Sequence, residues 1–120
     1  MNLSDEITQA LYDLGLTPKT RGFYHLRDAI LIKYENPYLK LNGEGGVFDK
    51  IAKSYPEDVQ KQFKLTDSTV MRSVRYIANK CCASAEIARY IGWTDTNNIT
   101  VARLVAGVAE YVRGKVKCRN

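Results

Sequence analysis

The segment Val59–Arg75, with the sequence VQKQFKLTDSTVMRSVR, contains two helical patterns that are separated by only three residues. Val59 and Phe63 are four positions apart and therefore lie on one face of a short helix. The tripeptide 64–66 then interrupts the pattern, and a second helix is predicted over about residues 67–81. Two helices this close together are typical of a helix-turn-helix, which restricts the chain to a small helical fold.

The residues at the turn favour this interpretation. Leu65 is expected to point into the core between the two helices, and Thr66 is a suitable N-cap for the second one. A buried stripe is predicted on the second helix, formed by Val70, Val74, Ile77 and Cys81.

The opposite face of the second helix is polar and basic. At about 100° per residue, four side chains fall within a wedge of about 60° opposite the stripe: Ser68, Arg72, Arg75 and Asn79. Thr69 and Tyr76 flank this wedge. Arg can bind guanine with two hydrogen bonds, Asn can bind adenine, and hydroxyl groups bind phosphates or bases. The pattern predicts a helix that enters the DNA major groove, although the solvated face of an amphipathic helix is the alternative for any such pattern.

The composition indicates one folded domain, residues 1–120. Hydrophobic residues make up 45% and charged residues 26%, as is ordinary for a soluble protein. No apolar run is long enough to span a bilayer, and Asp5 and Glu6 are unlike the basic start of a signal peptide. The sequence therefore predicts a cytoplasmic protein without a membrane partner.

The charge favours a polyanionic partner. The 18 basic residues exceed the 13 acidic ones and give a net charge of +5. One basic cluster surrounds the two predicted helices: Lys50, Lys53, Lys61, Lys64, Arg72, Arg75 and Lys80. A second closes the chain, and we expect it to be a solvated tail: Arg113, Lys115, Lys117 and Arg119.

Metal, cofactor and enzyme chemistry have little support. No spacing among the three cysteines and the single histidine fits a zinc site, so neither a metal nor a cofactor is predicted. His25 and Asp28 share one helix face, but no nucleophile motif accompanies them. The sequence predicts a structural histidine and a protein that is not an enzyme.

The remaining chain also predicts helices, and strand patterns are nearly absent. We expect a first helix that is capped by Ser4 and ended by Gly15, and a second that runs from Thr17-Pro18 to Asn36-Pro37. A short helix follows over 47–55. After the two helices described above, we expect one from Ala85 to Ile91, between Ser84 and Gly92, and a last one capped by Thr100. Trp93–Asn98 is predicted to be a turn. The expected fold is an all-α bundle of about six or seven helices.

Two other segments have a competing interpretation. Residues 84–105 also contain helix, turn and helix, but the turn is long and the second helix offers little beyond Arg103, so core packing is favoured. The glycine-rich loop 42–46 lacks the Gly-Lys-Ser/Thr ending of a phosphate cradle and is predicted to be a flexible turn.

Several of these segments occur together in one known family. They are, in order, Ile7–Gly15 followed by Pro18, the block 21–30 (RGFYHLRDAI), Tyr55-Pro56, the segment 63–75, and Ile91-Gly92-Trp93-Thr94. Over nearly its whole length the chain resembles the C-terminal effector domain of sporulation response regulators, the stage-zero sporulation protein A family.

The resemblance implies a bacterial transcription regulator whose second motif helix lies in the major groove. It implies double-stranded DNA as the partner, binding as a homodimer or as tandem copies, and contact with RNA polymerase subunits. The implied base-contacting positions are Thr69, Met71, Arg72 and Arg75. Together with the residues on the polar face, the predicted DNA-binding set is Lys64, Ser68, Thr69, Met71, Arg72, Arg75, Tyr76, Asn79 and Lys80.

The chain departs from the family at several positions. Thr69 stands where the family has arginine, and Met71 where it has glutamate, so a different DNA box is expected. Gln60 and Lys64 replace small residues, so either Lys64 adopts a strained turn conformation or the turn differs in detail from that of the family. The loop before the last helix is shorter than in the family. The family's receiver domain does not precede Met1, so the sequence is expected to be a free-standing paralogue or an excerpt.

A second function remains open. Met71 beside Thr69 and Tyr76 suits a protein contact as well as a thymine methyl group. The alternative is therefore a protein-interaction module that keeps the fold but has lost specific DNA reading.

Overall fold

The computed structural model describes residues 2–81, 86–91 and 100–119, and every regular element within these ranges is an α-helix. The helices are α1 (Leu3–Asp13), α2 (Arg21–Glu35), α3 (Val47–Lys53), α4 (Glu57–Phe63), α5 (Asp67–Cys81), α6 (Ile87–Ile91) and α7 (Val101–Arg119). The all-α bundle that the sequence predicts is confirmed. None of the helices in these ranges combines the length and the apolar character needed to cross a membrane.

Helix α2 is the centre of the bundle and packs against α1, α3, α5 and α7. One connected apolar cluster joins all the helices except α4. Its largest fully buried side chains include Phe23, Phe48, Leu11, Leu26, Ile30 and Leu104. Because α2 supplies apolar side chains to several neighbours at once, its position determines where α5 lies.

The contact between α2 and α5 is unusually close at Gly22. A Cβ atom on Gly22 would lie 2.5 Å from Cγ1 of Ile77 and 2.6 Å from the carbonyl oxygen of Ser73. Only glycine allows α5 to approach the first turn of α2 at this distance.

Helix α1 confirms one predicted cap and corrects the other. Its C-terminal end has Gly15 at φ +84°, with the Gly15 N–H bonded to the Tyr12 carbonyl and the Leu16 N–H bonded to the Leu11 carbonyl. This is a Schellman motif, as Gly15 predicts. The N-cap, however, is Asn2 and not Ser4, because the Asn2 side chain accepts the Asp5 N–H at 2.9 Å and starts the helix earlier.

The predicted start of α2 at Thr17-Pro18 is wrong. The Lys19 N–H bonds the Thr17 carbonyl at 2.8 Å, which makes a tight turn, and the helix begins only at Arg21. Its predicted end is confirmed, with Asn36 as the C-cap.

The last helix confirms its predicted cap, since Thr100 Oγ1 accepts the Arg103 N–H at 3.1 Å. Of the apolar positions predicted for it, Leu104, Val105, Val108 and Val112 are buried, whereas Val101 is only partly buried. The caps expected at Ser84 and Gly92, the start at Ala85 and the turn Trp93–Asn98 lie outside the described residues.

The loop before α3, which the sequence predicts to be a flexible turn, is closed by backbone hydrogen bonds. The Val47 and Phe48 N–H groups bond the carbonyls of Lys40 and Leu41 at 2.9 and 3.1 Å. A Cβ atom on Gly46 would lie 2.8 Å from the Leu41 carbonyl oxygen, so the loop folds back tightly on itself.

Substitution of Gly22 tests the close contact between α2 and α5. We expect Gly22→Ala to lower the free energy of unfolding by about 1–3 kcal/mol, because the added methyl group must displace the Ser73 backbone. Gly114→Ala in α7 is the matched control, since a methyl group there would meet no neighbouring helix or side chain within 4 Å; it should gain up to about 1 kcal/mol of helix propensity. Urea denaturation measures both, and a Gly22→Ala protein as stable as the parent would contradict the packing described.

Candidate nucleic-acid interface

Helices α4 and α5 are joined by the three residues that the sequence singles out. Lys64 has φ +52° and ψ +48°, the left-handed conformation that is one of the two expected alternatives, and no other non-glycine residue in the described chain has a positive φ. The Leu65 N–H donates to the Gln60 carbonyl at 2.8 Å. The Leu65 side chain is 9% exposed, as predicted for a residue that packs into the core.

Helix α4 is held less firmly than the pattern suggests. None of its residues is fully buried. Val59 is half-buried against the core, whereas Phe63 remains 44% exposed, with the Arg21 guanidinium 4.5 Å from the centre of its ring. The first helix of the segment therefore covers the core only in part.

The start of α5 is stabilised by a reciprocal pair of threonines. Thr66 Oγ1 accepts the Thr69 N–H at 3.3 Å, which confirms Thr66 as the N-cap, and Thr69 Oγ1 accepts the Thr66 N–H at 2.8 Å. The Thr69 hydroxyl also lies 2.8 Å from the Lys64 carbonyl, to which it can donate. Thr69 thus directs its hydroxyl toward the turn, and this capping role is the one that glutamate serves in a capping box.

The two faces of α5 are divided as the sequence predicts. All four stripe residues are buried: Val70, Val74, Ile77 and Cys81. The exposed residues of the predicted set are Lys64, Ser68, Arg72, Arg75, Tyr76, Asn79 and Lys80. Thr69 and Met71 are only partly exposed, and Met71 packs against the core.

Tyr76 and Lys80 form a pair at the C-terminal half of this face. Tyr76 is 60% exposed, and the Lys80 ammonium lies 4.6 Å from the centre of its ring. This contact places the Lys80 ammonium beside the Tyr76 side chain. Ammonium and hydroxyl groups can both bind phosphate oxygens.

A cleft of about 360 Å³ opens beside α5. Met71, Arg75 and Asn79 form one wall, and Asn42 from the loop before α3 faces them. The other described residues in the lining are Leu41, Phe48, Thr100, Val101 and Ala102. Sequence reasoning missed Asn42, because nothing in the glycine-rich segment indicates that the loop lies against α5.

Asp67 connects this loop to the first turn of α5. Its Oδ2 atom accepts the Gly43 N–H at 3.2 Å, and its Oδ1 atom is buried without a hydrogen-bond partner among the described residues. Gly43 has φ +89°, a conformation that side chains rarely adopt and that aims the N–H at Asp67. The loop is therefore held against the helix that carries the candidate site.

His25 holds the other side of α5. It is 2% exposed, and its Nδ1 lies 2.9 Å from Ser73 Oγ, which can donate its single proton to the Val70 carbonyl at 2.8 Å. With the Ser73 proton donated to Val70, Nδ1 is the protonated nitrogen and donates to Ser73; in the other tautomer Nδ1 accepts from the Ser73 hydroxyl. Burial, with a smaller contribution from the Arg21 cation, lowers the pKa of His25 below 6.5. A neutral, buried ring fits the structural role that the sequence predicts.

The two basic clusters differ in how the fold uses them. In the C-terminal cluster, Arg113 donates to the Tyr34 carbonyl at 2.6 Å and Lys115 lies 3.6 Å from the carboxylate of Glu6. The expectation of a solvated tail is therefore wrong for Arg113, because α7 packs on α1 and α2, whereas Lys115 remains exposed. The side chains of Lys117 and Arg119 lie outside the described residues. The cations on α5 remain at the surface.

The competing helix-turn-helix over 84–105 lies partly outside the described ranges, because its predicted turn falls within residues 92–99. Its basic residue Arg103 donates to the Ile91 carbonyl at 3.3 Å, which ties α7 to α6. This contact accords with the packing role that the sequence favours.

No protein-family model matches this chain, and no curated protein matches it either.

Substitution of Thr69 tests its role in the turn. We expect Thr69→Val to lower the free energy of unfolding by about 1 kcal/mol, because valine keeps the shape but cannot accept the Thr66 N–H. Thr69→Ser retains the hydroxyl and should stay near the parent in thermal and urea denaturation. Equal stability of the valine and serine proteins would show that the hydroxyl does not stabilise the turn.

The low pKa of His25 predicts a pH dependence of stability. The unfolded chain binds a proton at this residue more readily than the folded one, so stability falls as the pH drops below 6.5. His25→Asn keeps an N–H donor near Nδ1 but cannot titrate. The stability difference between the parent and His25→Asn should therefore shrink from pH 7 to about pH 5.5, and a constant difference would contradict a neutral buried ring.

Proposed function

We propose that this chain is a DNA-binding transcriptional regulator that inserts helix α5 into the major groove. The observation that carries the proposal is the continuous polar and basic face of α5, which is exposed along its length while the opposite face is buried. Ser68, Arg72 and Arg75 lie on this face within about two turns. An α-helix with such a face fits the width of the major groove.

The surroundings of α5 support the same function. The helix is preceded by α4 and a three-residue turn, an order of elements that a helix-turn-helix also has. His25 and Asp67 fix α5 from two sides through Ser73 and Gly43. A rigidly held helix loses little conformational freedom on binding, and this favours affinity.

The roles within the interface can be assigned from exposure. Arg72 lies at the centre of the exposed wedge and is the residue proposed to contact a base, whereas Ser68, Lys64 and Lys80 lie toward the ends and are proposed to bind phosphates. Thr69 supports the turn and contributes to the interface indirectly. The bound box is proposed to differ from that of the sporulation regulators, since Thr69 and Met71 replace the family's arginine and glutamate and are only partly exposed.

The finer proposal is a regulator of the sporulation-initiation effector type. It rests on the sequence resemblance, with contacts to RNA polymerase and paired copies on DNA as its implied partners. No step of this function requires a cofactor, a metal or enzymatic chemistry, and the His25 ring is buried and hydrogen-bonded to Ser73.

A protein-interaction module is the second candidate. Two of the four implied base-contacting positions, Thr69 and Met71, are only partly exposed, whereas Phe63 and Tyr76 present aromatic surface. Selection of bound sequences from a random DNA pool separates the two functions, because only a DNA reader enriches a common box.

Arg72→Ala tests the DNA-binding proposal. We expect it to weaken binding to the selected duplex by about 1–3 kcal/mol and to relax the base preference at one position. Arg27→Ala is the control, because it removes the same charge from α2, which is not part of the proposed interface. On α2 the Arg27 guanidinium lies 5.2 Å from the centre of the Tyr24 ring. A mobility-shift titration in which Arg72→Ala and Arg27→Ala bind equally well would contradict the assignment of Arg72 as a base-contacting residue.

A further inference from the structure

The cleft beside α5 brings three groups of N–H donors together from two separate parts of the chain. Arg75 and Asn79 lie on one wall, and Asn42 lies on the other. A guanidinium and two carboxamides present several N–H groups. No Asp or Glu side chain is among the described residues that line the cleft. Such a set of donors suits a ligand with several acceptor oxygens and a negative charge.

The apolar part of the lining strengthens this preference. Leu41, Phe48 and Val101 add apolar side chains to the same cleft. Charge-assisted hydrogen bonds are stronger where apolar surface excludes water. An anionic oxygen near Arg75 would therefore be held more firmly than at an open helix surface.

The two arginines of α5 are not equivalent in this geometry. Arg75 lines the cleft and Arg72 does not. The residues are three positions apart, so their side chains leave the helix about 60° apart. When α5 lies in the major groove, a residue at the side of the helix faces the sugar–phosphate backbone and one at the centre faces the base edges.

We propose that the cleft binds a backbone phosphate of the DNA strand at this edge of the major groove. Arg75 contacts the phosphate, Asn42 and Asn79 complete its coordination, and Arg72 is left to contact a base. The inference rests on the proposed DNA-binding function and divides the roles of the two arginines within it.

Asp67 acts as a positioning residue for this site. It does not line the cleft, and its Oδ2 atom holds the Gly43 N–H, one residue from Asn42. The loop's own hydrogen bonds at Lys40 and Leu41 fix its other end. Asn42 is thus placed before DNA arrives, and the site does not depend on ordering a flexible turn.

The test compares four variants with the parent on the selected duplex and on its single-base variants, between about 50 and 200 mM salt. We expect Arg75→Ala to lose affinity roughly ten- to hundredfold, equally on all sequences, and its log–log salt slope to shrink by about 0.9. Arg72→Ala should lose discrimination at one base position. Asn42→Ala should show a smaller uniform loss without a change in slope, and Arg27→Ala is the charge-matched control for nonspecific effects.

The outcomes separate this inference from the proposed function. Two results would overturn the phosphate site while DNA binding by the parent stands. In one, Arg75→Ala relaxes the base preference at one position; in the other, Arg75→Ala binds every duplex as tightly as the parent. Parental affinity of Asn42→Ala would also overturn the site. If the parent binds no duplex at any salt concentration, both the function and the inference fail. Far-UV circular dichroism confirms that each variant is folded, and all four side chains lie at or near the surface.

Discussion

The contact between the first turns of α2 and the middle of α5 sets the geometry on which the proposed interface is built. Gly22 allows the Ser73 carbonyl to approach within a distance that no side chain would permit, and His25 adds a hydrogen bond to the Ser73 hydroxyl one helical turn later. Apolar packing alone is tolerant of small rotations. The hydrogen bond and the close backbone approach together fix which side chains of α5 face outward.

The opposite side of α5 is held by a hydrogen bond from a loop. There, Asp67 holds Gly43 and so attaches a closed loop to the first turn of the helix. The proposed interface therefore consists of one helix supported on both sides by polar contacts with distant parts of the chain. Through these contacts α5 is anchored on both sides, although α4 buries no residue fully.

Much of the fold follows from local sequence patterns, whereas contacts between distant residues do not. The spacing of Val70 and Val74 predicts the buried face of α5, and Gly15 predicts a helix end, because these features depend on neighbours within one or two turns. The predicted start of α2 is wrong because Pro18 suits a tight turn as well as a first helical turn. His25 and Ser73 are 48 positions apart, and Gly43 and Asp67 are 24 apart, so no local periodicity indicates that they meet. The capping role of Thr69 escapes prediction as well, because a threonine in the third position of a helix is equally compatible with an outward side chain.

The main proposal is that DNA contacts the exposed face of α5. Titration of the isotope-labelled protein with a random-sequence duplex at low salt, followed by amide chemical shifts, tests it without knowledge of the target box, since nonspecific binding uses the same phosphate-contacting surface. We expect the shifts to concentrate on residues 64–80 and on the loop around Asn42, with little change in the first two turns of α1. Shifts that concentrate on α1, or no shifts at any DNA concentration, would show that this face does not bind DNA.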